Sequence, residues 1–295
     1  MRTLIAGCGY VGLQLGLELV RGGHEVWGMR RSEEALVRLQ TAGLVPFRAD
    51  ISCLETLTKA SVKFDWVVCC ASASGGGPER YREVYVNGLR NLVVWLAAKP
   101  PQKFVYTSST SVFGQTDGNV VDEKSPTEPQ EETGRLLLEA EQALLKAAQE
   151  QRFPAVILRL AGIYGPGRGY WLRQYLEGEA RLEGQGERVL NMVHRDDVVG
   201  AIIAALRRGR PGEIYNVVDD EPVTQLSCFE WLSRTLGRTL PPPAPAPGAE
   251  SRKRGATSKR VSNHKLKHEL EYRFNYPTFR EGFASELERI SPTNQ

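Results

Sequence analysis

Gly7, Gly9 and Gly12, in the stretch GCGYVG, have the G-x-G-x-x-G spacing of a loop that grips a diphosphate. An apolar run, Leu4-Ile5-Ala6, leads into the loop and a predicted helix follows it. In that setting Gly7 allows a sharp turn, Gly9 lets the backbone approach a pyrophosphate, and Gly12 lets the helix lie close on the strand. The amides that open the helix then face the phosphates. Gly7, Gly9, Tyr10, Val11 and Gly12 are the candidate pyrophosphate residues.

A second chemical signal stands 21 residues past Gly9, where Arg30 and Arg31 end the next predicted strand. A site for an unphosphorylated adenosine ribose carries Asp or Glu at about that distance, accepting from the 2′-hydroxyl. A guanidinium instead pairs with a 2′-phosphate that a carboxylate would repel. The expected cofactor is therefore NADP(H) rather than NAD(H).

The elements that must position these groups follow an alternating order. Short apolar or β-branched runs at 3–6, 24–29, 45–49, 65–70, 103–107 and 155–160 are separated by amphipathic stretches or loops, which predicts βαβ units and a parallel sheet covered on both faces. Leu137, Ala140, Leu144 and Ala147 form a helical stripe within 134–150, and a further strand at 213–218 follows a helix at 197–208. The expected fold is α/β: a Rossmann-type, doubly wound parallel sheet with a small, partly interleaved C-terminal region. Residues 1–165 read as the nucleotide-binding core. Residues 166–295 read as a mixed region that completes the sheet and adds substrate-side helices. Residues 240–260 are rich in proline, alanine and basic side chains, and are expected to be an exposed, mobile loop.

Composition narrows the function. The chain has 295 residues, 41% hydrophobic and 25% charged, with a formal net charge of +3, which is that of a soluble protein with no strong field for nucleic acid or an anionic membrane. Cys8, Cys53, Cys69, Cys70 and Cys228 show no C-x-x-C pairing and read as free thiols, not metal ligands or disulfides. The first predicted strand opens within about three residues of Met1, and no apolar run approaches the ~20 residues of a membrane span. The expectation is a cytoplasmic monomer or homodimer acting on a small molecule.

Further segments line up with the glycine loop: YTSSTSVFG (106–114), LRLAGIYGPGRG (158–169), MVHRDDVVGAIIAAL (192–206) and IYNVVDDEPVT (214–224). Together they resemble the extended and atypical short-chain dehydrogenases/reductases, the group that holds sugar-nucleotide epimerases and dehydratases. The resemblance covers most of the chain, including the tail SKRVSN…YRFNYPTFREG (258–282). It implies that Asp50 and Ile51 meet the adenine and that Ala71, Ser72 and Ala73 line the cofactor. It also places the loop of Gly162 and Ile163 near the nicotinamide. Ser109 takes the position of the family's catalytic Ser or Thr, where its hydroxyl would orient a substrate oxygen. The competing reading is a strand-end serine that serves its local backbone.

One departure stands out. The family carries Tyr-x-x-x-Lys at the start of the helix that here begins ETGRLLLEAEQALL; alignment on Gly134 and Glu141 puts Thr133 and Leu137 in those places. A phenol with a pKa of about 10, lowered by a neighbouring ammonium, moves a proton at neutral pH; an alkyl hydroxyl does not. Tyr85, four residues after Tyr81, is the candidate replacement acid/base, against a plain packing role. Tyr164 is a weaker candidate, and His194 reads as a residue at a helix start. Lys259, Arg260 and Arg168 are candidates for clamping the diphosphate of a nucleotide-sugar, with Arg252, Lys253 and Arg254 in the same basic cluster. Two functions follow: an NADP-dependent oxidoreductase or epimerase acting on a nucleotide-sugar, small polyol or carbonyl compound, or a catalytically impaired NADP(H)-binding sensor.

Overall fold

The structure, a computed structural model, describes residues 1–73, 75–245 and 257–290. Its centre is a seven-stranded sheet built from β1 (Arg2–Ala6), β2 (Glu25–Arg30), β3 (Val45–Arg48), β4 (Trp66–Cys69), β5 (Lys103–Ser109), β6 (Ala155–Leu160) and β7 (Ile214–Val217). The spatial order is β7-β6-β5-β4-β1-β2-β3, and every neighbouring pair is parallel. All six residues of β6 are buried, as expected for a strand covered on both faces. The order reverses between β1 and β4, so the loops after these strands diverge and leave a crevice at their carboxyl ends.

Helices cover the sheet. They include α1 (Tyr10–Arg21), α2 (Glu33–Thr41), α3 (Gly88–Ala97), α4 (Glu132–Gln151) and α5 (Arg195–Arg208). The predicted stripe on α4 packs inward: Leu137, Ala140, Leu144 and Ala147 are all buried. A short helix, Gly77–Tyr81, runs into α3 through a wide π-type turn at Arg82–Asn87. Such turns add a residue to the helical repeat and re-aim the side chains they carry, here including Tyr85.

A smaller apolar cluster forms over the carboxyl edge of the sheet. Tyr164, Leu172, Tyr175, Phe229, Phe279 and Phe283 belong to it, the last two from α7 (Phe279–Ile290), which follows α6 (Gln225–Leu236). Gly162–Tyr164 is not a loop but a short strand, paired in parallel with Met192–His194. His194 caps α5, its Nδ1 accepting from the Asp196 amide at 3.2 Å. Asp197, also buried, accepts from the Tyr272 hydroxyl and from the amides of Asn275 and Tyr276 at 2.7–2.9 Å, which ties the C-terminal segment to this helix.

The stretch 240–260 departs from the expected exposed loop at both ends. Ala244 donates its amide to Leu182 O and Leu182 donates to Pro242 O, so the proline-rich part is bound to its neighbour. Arg260–Val261 is a short strand paired with Val120–Val121, and Lys259 before it is buried. Proline lacks a donor but keeps its carbonyl, so one edge of such a segment still accepts hydrogen bonds. Arg252, Lys253 and Arg254 lie outside the described residues.

Candidate active site

The crevice opens into a cleft of about 1380 Å³ that runs from the glycine loop across the end of β5 to the smaller cluster. At one end Gly7 turns with φ +89°, and a β-carbon there would overlap the Cys70–Ala71 peptide after β4. Only glycine fits both demands. A β-carbon at Gly12 would stand 2.7 Å from Gly7 O and 3.0 Å from an Ile5 methyl, so this glycine brings α1 onto β1 and does not face the cleft. Gly9, Tyr10 and Val11 do face it. The first turn of α1 carries no acidic residue of its own, so its amides present the positive end of the helix.

Arg30, Arg31, Ser32, Asp50 and Ile51 form the next part of the wall. The Arg30 guanidinium lies over Gly9, and among the described residues no carboxylate pairs with it. Arg31 is different, since its Nη1 donates to Asp50 Oδ2 at 3.2 Å. That pair and two hydrogen bonds from Ser52 hold the Asp50 carboxyl below its ordinary range, against the opposing effect of burial. Ala71 and Ser72 line the cleft, but Ala73 does not: it is buried in the core with Leu89 and Leu92. The chain after β4 turns inward at that residue.

Ser109 ends β5 in the middle of the cleft. Its Oγ accepts from the Ser111 amide at 3.2 Å, capping the tight turn Thr110–Val112. The local backbone role is therefore real, yet it uses only a lone pair, and the hydroxyl proton is left to donate toward a ligand. Thr133 and Leu137 line the cleft as well, so the residues aligned with the family's Tyr and Lys do occupy the expected wall. Tyr81 and Tyr85 line the same cleft, their ring centroids 5.0 Å apart. Tyr164 also reaches the cleft, but its hydroxyl is buried with no partner among the described residues, and burial pushes its pKa far above the ordinary tyrosine value.

The far end is cationic, with Arg173, Arg188 and Lys259 among the lining residues, while Arg168 lies over the Tyr10 ring at the glycine-loop end. Lys259 is 5% exposed, and its Nζ donates to Phe113 O at 3.0 Å and to Thr257 Oγ1 at 3.2 Å. Neither partner carries charge, and burial together with the Arg188 charge pushes its pKa down to about 8. Arg260, by contrast, points away. Its guanidinium bonds to Pro222 O at 3.0 Å and it does not line the cleft.

Beneath Ser109 lies a network that sequence reasoning missed. Glu141 and Arg159 form a buried two-pronged ion pair, at 2.7 Å for Arg159 Nη2 and 3.1 Å for Nε. Ser108 Oγ donates to the same carboxylate at 2.6 Å. The Arg159 guanidinium also lies 4.9 Å from the centroid of Phe113, whose carbonyl holds Lys259. The signal was present as single charges inside an apolar helical stripe and an apolar strand, which demand a buried partner.

This geometry can be set beside known proteins. Residues 3–217 match the model of the NAD dependent epimerase/dehydratase family. The chain belongs to that family. Its relatives include protein YeeZ of Escherichia coli, 29% identical over 283 residues that cover 94% of this chain and 96% of YeeZ. A solved structure from Methylobacillus flagellatus, provisionally described as an NAD-dependent epimerase/dehydratase, is 31% identical, covers 98% of both chains and superposes with a TM-score of 0.77. The dTDP-glucose 4,6-dehydratase DesIV of Streptomyces venezuelae shares the fold, with a TM-score of 0.84 at 23% identity over 100% of this chain and 98% of its own. Among the described residues of this family member, no helix is long and apolar enough to cross a membrane.

Proposed function

We propose that the chain is an NADP(H)-dependent oxidoreductase or epimerase that acts on a nucleotide-sugar or a small polyol or carbonyl compound. The observation that carries this reading is one cleft that joins the glycine loop, an arginine with no carboxylate partner among the described residues and a serine hydroxyl at the strand end. Residues 1–165 would supply most of the cofactor side and residues 166–295 the substrate side.

The residues present fit a nicotinamide dinucleotide. Gly7, Gly9 and the amides of Tyr10 and Val11 would hold its pyrophosphate, Ala71 and Ser72 its middle, and Arg30 a 2′-phosphate, with Asp50 and Ile51 beside the adenine. When bound, the nicotinamide supplies hydride exchange. Ser109 donates to the substrate oxygen and fixes its orientation. Tyr85, which lines the same cleft, would give or take the accompanying proton. Lys259, Arg188 and Arg173 hold an anionic part of the substrate, a diphosphate in a nucleotide-sugar. Five free cysteines go with a cytoplasmic location.

Thr133 and Leu137 in the cleft wall favour a second reading, an NADP(H)-binding sensor without turnover. Losing a positioned acid/base costs ~10²–10⁴ in rate. The two readings part in one experiment: NADPH and NADH are titrated by fluorescence, then nucleotide-sugars and carbonyl compounds are screened for NADPH consumption. Turnover of any of them supports the enzyme. NADPH binding with none supports the sensor, and binding of neither dinucleotide overturns both.

A further inference from the structure

We propose that Arg168 is a cofactor-binding residue, its guanidinium closing on the dinucleotide pyrophosphate from the wall opposite α1. The inference rests on the cofactor reading above, and it moves Arg168 away from the substrate clamp in which the sequence had grouped it with Lys259.

Three observations carry it. The first is position: the Arg168 guanidinium lies 5.2 Å from the centroid of Tyr10, the residue that opens α1. Both residues line the cleft beside Gly9, so the cation faces the same space as the free amides of the first helical turn. The second is how the arginine is presented. Gly165 and Arg168 exchange backbone hydrogen bonds at 2.8 and 2.9 Å, closing a tight turn over Pro166 and Gly167. Gly165 has φ +143°, and a β-carbon there would stand 3.0 Å from the Tyr10 hydroxyl, so glycine lets this turn sit directly against the cofactor loop.

The third is charge. Among the described residues no carboxylate pairs with Arg168, and its side chain rests on an aromatic face. A second guanidinium, that of Arg195, lies 5.3 Å from the same ring, but it is paired with Asp196 at 2.9 Å and does not line the cleft. Arg168 is thus the member of this pair whose charge is open to a ligand. Helix amides on one wall and a stacked guanidinium on the other make a two-sided phosphate grip, in which the planar fork can meet two oxygens at once.

The test uses direct binding to the full chain, with NADP+ and adenosine 2′-monophosphate as probes. The second probe carries the 2′-phosphate that Arg30 would meet and has no pyrophosphate. Arg168→Met should weaken NADP+ by about tenfold or more while leaving the adenosine 2′-monophosphate affinity unchanged. Arg168→Lys should recover only part of the loss, because an ammonium neither stacks nor forks. Equal losses for both probes, or no loss for either, overturn the proposal. If the wild-type chain ignores NADP+, the cofactor reading itself has failed; if it binds NADP+ and Arg168→Met binds as well, only this inference has.

Discussion

The Arg30 guanidinium sits over Gly9, so close that a methyl group on that glycine would stand 2.9 Å from Arg30 Nη1. The arginine proposed to meet a ribose phosphate and the glycine proposed to admit the pyrophosphate thus share one small space. Arg30→Ala should weaken NADPH about ten- to a hundredfold and leave NADH nearly unchanged, since one charge-assisted contact is lost. Arg31→Ala should cost less, because Arg31 already spends its charge on Asp50. Fluorescence titration of both variants with both cofactors checks the ranking.

At the centre of the cleft the prediction concerns chemistry. For any compound the chain turns over, Ser109→Ala should lower kcat by about 10² or more, and Tyr85→Phe should do likewise if the phenol moves the proton. The folded state should survive both changes, as shown by unchanged melting. Full activity in Tyr85→Phe removes that residue from the reaction.

In the proposed substrate clamp, Lys259 would make anion binding depend on pH. Its ammonium is held down to about 8 by burial and by Arg188, so it is charged below that value and neutral above it. The affinity of uridine diphosphate should therefore fall as pH rises through about 8. Lys259→Met should bind weakly throughout and lose that step. Calorimetry across the range distinguishes the two profiles.

Asp219 sets a different pH dependence, that of stability. The side chain is 1% exposed, one carboxylate oxygen has no partner among the described residues, and burial raises its pKa well above the ordinary 3.8. The folded chain then keeps this proton to higher pH than the unfolded chain does. The contribution is fully present below the unfolded pKa and is lost as pH rises toward the folded one. Asp219→Asn should flatten that decline and stabilise the fold most at the upper end, as denaturant midpoints at about pH 5 and about pH 8 would show.

The buried pair under Ser109 yields the largest stability effect. Glu141→Gln leaves the Arg159 guanidinium buried without its counter-charge, which should cost about 3–5 kcal/mol. Replacing both residues by apolar ones should cost less than Glu141→Gln alone. Urea unfolding of the two variants tests the order.

Much of this was legible in the chain. The parallel sheet followed from alternating periods, and the glycine loop from spacing, because turn chemistry and amphipathic repeats are written in neighbouring residues. Thr133 and Leu137 were placed by the family resemblance, aligned on Gly134 and Glu141, and both line the cleft. The differences fall where the chain leaves such local rules. Ala73 was grouped with Ala71 and Ser72, but the chain turns into the core before it. Glu141 and Arg159, each a lone charge in an apolar element, became a pair only when α4 lay against β6.

Lys259 and Arg260 mark the boundary most sharply. The sequence by itself determined that a basic pair follows the proline-rich stretch, and that the amino-terminal loop is built for a diphosphate. Only the tertiary structure decided that Lys259 enters the cleft and Arg260 leaves it. Adjacent residues in an extended segment point to opposite sides, and which side faces inward is set by the pairing of Arg260–Val261 with Val120–Val121, a register held by contacts far apart along the chain.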